Sequence, residues 1–542
     1  MLELGLSFGG LSLVMWAAGR GPARGEAGQP ALPSALAVVG LVVLTAAMAG
    51  DAPLDEDDWY MLGAARWLGQ HFELWPLFTE FTNPREPVFR PLNFLWFGAL
   101  FALLGTKWWA WHLVSTLLQL AIAGVTVGLG RRLGLAATGA QLAGALMLVH
   151  PALVESVVWI NAQETQLLVL LCLLAVRAGL SDRWLAAALL ALAAVHVKEQ
   201  GAMVPALIAL ARAVAAPPVA GTRVVQWGAR TVGWPGLAAG LAVLAALIYR
   251  RMVLHEPDNA EHAVYLQHFL DATLGERLEG ALVVLSTLWL PTFGGLGPPG
   301  LSSAVAVGLS VLLAMAARSV PRREAGLVLA VAAAWALLAT LPALSDVDRP
   351  ALVEPPGVTP SANLRHLLLA VVGPALAVGR LMEGASALLR GGLVVGSAAL
   401  LALNTSPYER IAQRLDAGLE TLRAAPIGPE VGVRFVEPRD TIAAALRYGP
   451  WADPELPRVP VLVGEPRCGC AMPPPPPVPA AEATGRTSRI RAFSEAFYSV
   501  HASASAILPV GGECRCPRWR ADARFVRLVG PEAGPFTLVP DR

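Results

Sequence analysis

The run Asp55-Glu56-Asp57-Asp58-Trp59 is the segment of this chain best suited to chemistry. It follows an apolar stretch by a few residues, so it stands at a membrane edge if that stretch crosses. A carboxylate there can act as general base on a hydroxyl while a lipid-borne leaving group approaches from the bilayer. Asp57 is the favoured base and Asp58 the alternate. Asp58 is equally suited to be a first-turn acid of a helix over 58–69, and the whole run also reads as a solvated acidic loop.

An anionic leaving group needs cations. Arg90, Lys198 and Arg365 sit at the ends of apolar runs, where a charge is costly without a partner, and each is therefore a candidate phosphate ligand. Arginine adds a bidentate match to phosphate. The competing readings are snorkelling anchors for Arg90 and Arg365, and an ion pair with Glu199 or Glu155 for Lys198. His112, His150, Glu155 and Glu199 are placed to shape the pocket. His150 and Glu155 could instead cap the helix that follows. His255, His262 and His268 are spaced by seven and six residues, which suits no single helical face and reads as a solvated loop. The acidic run is compatible with a divalent metal ion, but the sequence assigns no ligand set.

These residues must be held by apolar elements. The chain has 542 residues, 55% hydrophobic and 15% charged, against about 25% charged in an ordinary soluble domain. Its mean hydropathy is +0.54 and its formal net charge +1. A disordered chain, a nucleic-acid binder and a plain cytosolic enzyme are excluded on those grounds. Only Lys107 and Lys198 are lysines, so the arginine usage reflects a coding bias and a retained lysine carries more weight.

Apolar runs predict about twelve spans, at 3–18, 33–49, 108–129, 136–149, 164–179, 184–197, 202–215, 232–249, 301–317, 325–343, 364–382 and 391–404. Several are shorter than the roughly 20 residues a crossing needs, so neighbouring loops must add turns. With twelve spans, the arginine clusters at 20–24, 131–132, 177–183, 212–230, 318–323 and 380–390 fall on one face. The positive-inside rule makes that face cytoplasmic. Both termini, the acidic run and the unusual residues then lie outside. Arg250 and Arg251 are the exception, falling just outside. The stretches 92–105 and 276–291 read as in-plane or re-entrant. The stretch 3–18 lacks a basic leader and an Ala-x-Ala site, and reads as a retained helix.

Residues 405–542 form a separate unit. Short strand-like segments (VGVRFVEP, VPVLVG, FVRLVG, FTLVP) follow a helix near 408–424, and Pro473 to Pro477 make a polyproline stretch. Two Cys-x-Cys pairs, Cys468 with Cys470 and Cys514 with Cys516, predict two disulfides joining the pairs or a structural zinc site. The fold expected is an all-α polytopic membrane domain over 1–404, with in-plane helices, and a small α+β extracytoplasmic domain over 405–542.

The order of motifs resembles the GT-C superfamily of integral-membrane glycosyltransferases. Within it, the chain is similar to the protein O-mannosyltransferases and their transmembrane tetratricopeptide relatives. The matching residues are Asp57 and Asp58, Arg90 to Leu92, His112 and Leu113, His150, Pro151 and Glu155, and Lys198, Glu199 and Gly201. The resemblance covers roughly 33–385. Where relatives have Glu-Arg-Tyr before the late span, this chain has Leu364 and Arg365, keeping only the arginine. The cysteine-bearing tail replaces the repeats. The resemblance implies a polyprenyl-phosphate sugar donor, a protein, lipid or glycan acceptor, and inverting transfer at the outer surface of a bacterial-type inner membrane. It implies Asp57 as base and Arg90, Lys198 and Arg365 as donor-phosphate ligands. A lipid-linked sugar transporter and a non-catalytic scaffold are the rival readings.

Overall fold

The computed structural model describes residues 56–71, 74–79, 89–215, 224–254, 271–289, 321–341, 364–424, 431–435, 441–456, 461–463, 470–472, 524–529 and 537–540, with scattered positions between 307 and 320. The expected spans 3–18 and 33–49, most of 301–317, the three loop histidines, Asp55, and Cys468, Cys514 and Cys516 lie outside the described residues.

The helices in chain order are α1 (Glu56–His71), α2 (Leu74–Thr79), α3 (Pro91–Leu104), α4 (Trp108–Arg132), α5 (Ala137–Val149), α6 (Val154–Val158), α7 (Gln163–Gly179), α8 (Trp184–Val197), α9 (Val204–Ala215), α10 (Val224–Ile248), α11 (Leu274–Trp289), α12 (Arg322–Thr340), α13 (Leu368–Leu381) and α14 (Ala387–Ala424). Every expected span within the described residues coincides with a helix. Among the described residues, four stretches can cross a membrane by length and composition: Trp108–Arg132, Arg230–Met252, Arg322–Thr340 and Ala387–Ala424. These helices make the chain a polytopic membrane protein. Others are shorter, such as the 14 residues of α8, about 21 Å against a core of about 30 Å. Tight 3₁₀ turns at Pro151–Leu153, Glu199–Met203 and Leu364–Leu367 cap several of them at one end. The candidate site lies at that end.

Small residues let the helices approach, as expected where lipid offers no hydrophobic contrast. A Cβ on Gly379 would come within 2.5 Å of the Gly139 carbonyl, and one on Gly373 within 2.8 Å of Trp335. These contacts lock α13 against α5 and α12.

The opposite end gathers the arginine clusters that fall within the described residues. Arg132 donates to Ser181 at 2.6 Å. Arg212 donates to Asp182 at 2.6 Å and to the Arg230 carbonyl. Arg380 pairs with Glu324 at 2.8 Å and with Glu383 at 2.6 Å. Exposed tryptophans mark both edges of the bundle: Trp109 opens α4 at the site end, while Trp184 opens α8 and Trp234 follows the Gly233 kink at the arginine end. Such aromatic belts belong at membrane–water interfaces.

The helix α14 runs unbroken for 38 residues through the boundary expected at 404/405. The apolar run ends near Asn404, but Tyr408, Ile411, Ala412, Leu415, Leu419 and Leu422 continue a buried stripe at helical spacing. After it come β1 (Val431–Phe435), α15 (Thr441–Ala452), β2 (Val461–Val463), β3 (Cys470–Met472), β4 (Arg524–Val529) and β5 (Thr537–Pro540). All four strand-like segments of the sequence form strands. The sheet order is β3-β2-β1-β4-β5. β1 is parallel to β2 and β4, and the outer pairs are antiparallel. The β1–α15–β2 unit sends α15 back onto α1, where Gly449 stands opposite Trp59.

Candidate functional site

The site grows from four turns, each built by its own sequence. Arg90 sits just before α3, whose first residue is Pro91, a proline at the position where no N–H is needed. His150 ends α5, and its Nδ1 accepts the Ala152 N–H at 3.2 Å, capping the 3₁₀ turn that Pro151 begins. Burial lowers the imidazole to about 4, partly offset by a backbone hydrogen bond with Leu288. The ring is therefore neutral, as an accepting nitrogen requires. Of the two roles open to His150, the structure displays the cap.

Lys198 has extended backbone between α8 and the next 3₁₀ turn. That turn folds back so closely that a Cβ on Gly201 would run into the Ala194 carbonyl carbon. Glycine is thus required at this place in the Lys-Glu-x-Gly motif. Leu364–Leu367 is the fourth turn and carries Arg365 and His366.

These turns converge on one charged cluster. Lys198 Nζ donates to Glu164 Oε1 and, at 3.2 Å, to Thr165. Arg90 grips Glu199 with Nε at 3.2 Å and Nη2 at 2.8 Å, and reaches Glu164 with Nη1 at 3.4 Å. Asn93, one turn into α3, donates to Glu164 at 2.9 Å. Arg365 lies 4.6 Å above the Trp159 ring, and its backbone N–H donates to Glu155 at 3.0 Å. The competing reading of Lys198 pairs it with Glu199 or Glu155; the acid that Lys198 meets is Glu164. Lys198 is a single extended residue and Glu199 opens the 3₁₀ turn, and the two side chains address different partners, Lys198 meeting Glu164 and Glu199 meeting Arg90.

Burial lowers the Lys198 ammonium, the Glu164 charge raises it, and Arg90 and Arg365 lower it further. Glu199 is held at about 2: burial opposes ionisation, but Arg90 and Arg250 outweigh it. All three sequence-predicted phosphate ligands thus act on one another.

Arg250 completes the cluster and was not among the residues singled out for chemistry. It lies on a π-helical turn, Tyr249–Val253, that continues α10. Its Nη2 is 3.8 Å from Glu199 and its guanidinium 5.7 Å from the Phe89 centroid. Tyr249 fixes the turn by donating to the Phe78 carbonyl at 2.8 Å. Its signal in the sequence was its position as the exception to the arginine pattern. Glu164 was the other omission, an acid in the first turn of an apolar helix.

The acidic run opens α1. Asp58 is buried and accepts the Asn161 N–H at 2.6 Å. Its neighbour Trp59 meets Trp108 edge-on at 5.9 Å. Asp57 belongs to the same first turn. The loop that carries Trp159 and Asn161 is fixed from below by Gln166, whose amide donates to the carbonyls of Ser115 at 3.1 Å and Ser156 at 3.0 Å. His112 is buried within α4, one turn before Thr116, which donates to its carbonyl at 2.9 Å. Among the described residues, no three His, Cys, Asp or Glu side chains converge as a metal site.

No protein-family model matches the chain, and no curated protein matches it. Among solved structures, the chain is similar to that of ArnT from Cupriavidus metallidurans in the apo state. The two are 15% identical, over 80% of this chain and 85% of that one, with a TM-score of 0.30. A likeness of that size does not assign an activity.

Proposed function

We propose that the chain is a membrane glycosyltransferase of the GT-C type. It transfers a sugar, hexosyl or mannosyl in type, from a polyprenyl-phosphate donor to a hydroxyl of a protein, lipid or glycan. Transfer takes place at the extracytoplasmic face of a bacterial-type inner membrane, with inversion. The observation that carries this reading is the meeting of Arg90, Lys198, Arg250 and Arg365 with Glu155, Glu164 and Glu199 at one end of the bundle. Four cations face three carboxylates, an excess of one positive charge. A phosphodiester carries one negative charge and balances it.

The chemistry follows from that balance. As the bond from the anomeric carbon to the phosphate oxygen breaks, the leaving polyprenyl phosphate gains negative charge, which fixed cations stabilise. The acceptor oxygen bonds the same carbon from the opposite side, and Asp57 takes its proton. The hydrogen bond that Asp58 accepts from Asn161 supports Asp57 rather than Asp58 as the base. The tail, packed on α1 through α15, stands beside the acids and suits an acceptor-selecting cover.

The test is donor turnover by purified protein in lipid. Polyprenyl-phosphate mannose, glucose and aminoarabinose are supplied with crude envelope acceptors. Turnover of one donor, abolished in Asp57→Asn, is expected. Neither turnover nor binding of any donor by the wild-type protein would overturn the proposal.

A further inference from the structure

Buried side-chain atoms at the cation cluster with no hydrogen-bond partner among the described residues include Asn93 Oδ1, Gln200 Oε1 and His366 Nδ1. Their residues are 1%, 3% and 7% exposed. Native proteins seldom leave such atoms unsatisfied.

The polarity of two of them is fixed by their partners. Asn93 gives its Nδ2 to the Glu164 carboxylate at 2.9 Å, and an ionised carboxylate only accepts. Gln200 gives its Nε2 to the His366 carbonyl at 3.4 Å. In both amides the remaining atom is the oxygen, an acceptor. His366 Nδ1 is a third acceptor when the ring proton is on Nε2.

Each of these atoms accompanies one proposed phosphate ligand. Asn93 lies one turn after Arg90, Gln200 two residues after Lys198, and His366 directly after Arg365. The hydrogens of Arg90 and Lys198 are directed at Glu199, Glu164 and Thr165. An ionised phosphate brings only acceptors and cannot satisfy other acceptors. The group bound next to the phosphate must therefore donate hydrogen bonds, and it must be neutral, because the phosphate already balances the one excess positive charge of the cluster and a further cation would face the arginines uncompensated. Sugar hydroxyls meet both conditions, whereas an ammonium-bearing sugar meets only the first.

We infer that Asn93, Gln200 and His366 read the hydroxyls of the donor sugar and select a neutral polyhydroxyl sugar over an aminosugar. This rests on the glycosyltransferase reading above.

The experiment compares two ligands on the full chain in lipid: bare polyprenyl phosphate and polyprenyl-phosphate mannose. Gln200→Met and His366→Phe each remove one acceptor at similar volume. The expected result is bare polyprenyl phosphate bound within twofold of wild type, with the mannosylated ligand weakened about tenfold in each variant, the size of one good hydrogen bond. Wild type should also bind the mannosylated ligand more tightly than the aminoarabinose one. Equal weakening of both ligands would make these residues structural and overturn the inference. Unchanged binding of the mannosylated ligand would mean that water satisfies the acceptors, with the same consequence. Binding of neither ligand by wild type would instead remove the glycosyltransferase reading itself.

Discussion

Lys198 and Glu164 lie thirty-four residues apart and meet as a buried ion pair at the head of α7. One comes from the turn after α8, the other from the first turn of an apolar helix. Glu164 also receives Arg90 and Asn93, so a single carboxylate holds the ends of α3, α7 and α8 together.

Glu164→Gln should therefore destabilise the protein more than it changes its shape. It leaves Lys198 and Arg90 buried beside a neutral amide. Breaking a buried pair from one side costs about 3 to 5 kcal/mol. Thermal unfolding in detergent, followed by circular dichroism, should show a clear drop in midpoint for Glu164→Gln. The same substitution at Glu324, on the half-exposed pair with Arg380, should shift it little.

Stability should fall on acidification below neutrality, and His150 contributes to that slope. Its folded-state pKa is lowered to about 4 from 6.5. Between those values the unfolded chain binds a proton that the folded chain refuses. The stabilisation is thus complete above pH 6.5 and is lost as pH falls toward 4. Glu199, lowered from 4.5 to about 2, extends the loss below pH 4.5 by the same sign. Unfolding midpoints from pH 7.5 to 4.5 should drop for wild type and be flatter for His150→Asn, whose amide oxygen can keep the cap.

Gly201→Ala tests whether the Lys198 turn is set by close backbone approach. The added methyl meets the Ala194 carbonyl, which is helix backbone and cannot step aside cheaply. Overpacking of this kind costs about 1 to 3 kcal/mol, and displacement of the turn moves Lys198 off Glu164. A lowered unfolding midpoint together with at least tenfold weaker binding of polyprenyl phosphate is expected. Ala substitution at Gly124, where a Cβ meets nothing within 4 Å, serves as the control.

Asp57 and Asp58, both in the first turn of α1, should separate by phenotype. Asp57→Asn should abolish turnover and leave the unfolding midpoint near wild type. Asp58→Ala removes the acceptor of the Asn161 N–H and should cost about 1 to 3 kcal/mol, seen as a lower midpoint. Loss of turnover confined to Asp58→Asn, with a normal midpoint, would exchange the two roles.

Arg250→Gln should weaken polyprenyl-phosphate binding by at least tenfold in equilibrium titrations, and should make the remaining binding less dependent on Arg90. The reason is that Arg90 and Arg250 share Glu199. Removing one leaves the other more firmly committed to that carboxylate and less available to a phosphate. Additive losses in Arg90→Gln, Arg250→Gln and the double variant would contradict such sharing.

What the sequence alone determined was periodic and local. Apolar run length marked where the helices are, because a helix buries or exposes whole turns. Arginine spacing sorted their ends, and Arg132, Arg212 and Arg380 do gather at one end. Alternation found four of the five described strands, missing the three-residue β3, and proline and glycine marked the turns at Pro91, Pro151 and Gly201. It also chose Arg90, Lys198 and Arg365, since a cation at the edge of an apolar run is costly enough to need a reason. Which carboxylate each cation meets was decided by tertiary structure. Lys198 takes Glu164, not its neighbour Glu199, because the packing of α8 on α7 brings Glu164 within reach while Glu199 is held by Arg90. Arg250 joined the site for the same reason. Its π-helical turn is held over Phe89 and Glu199 by contacts with residues more than a hundred and fifty positions away in one case, Tyr249 with Phe78, and no local pattern encodes a contact of that range.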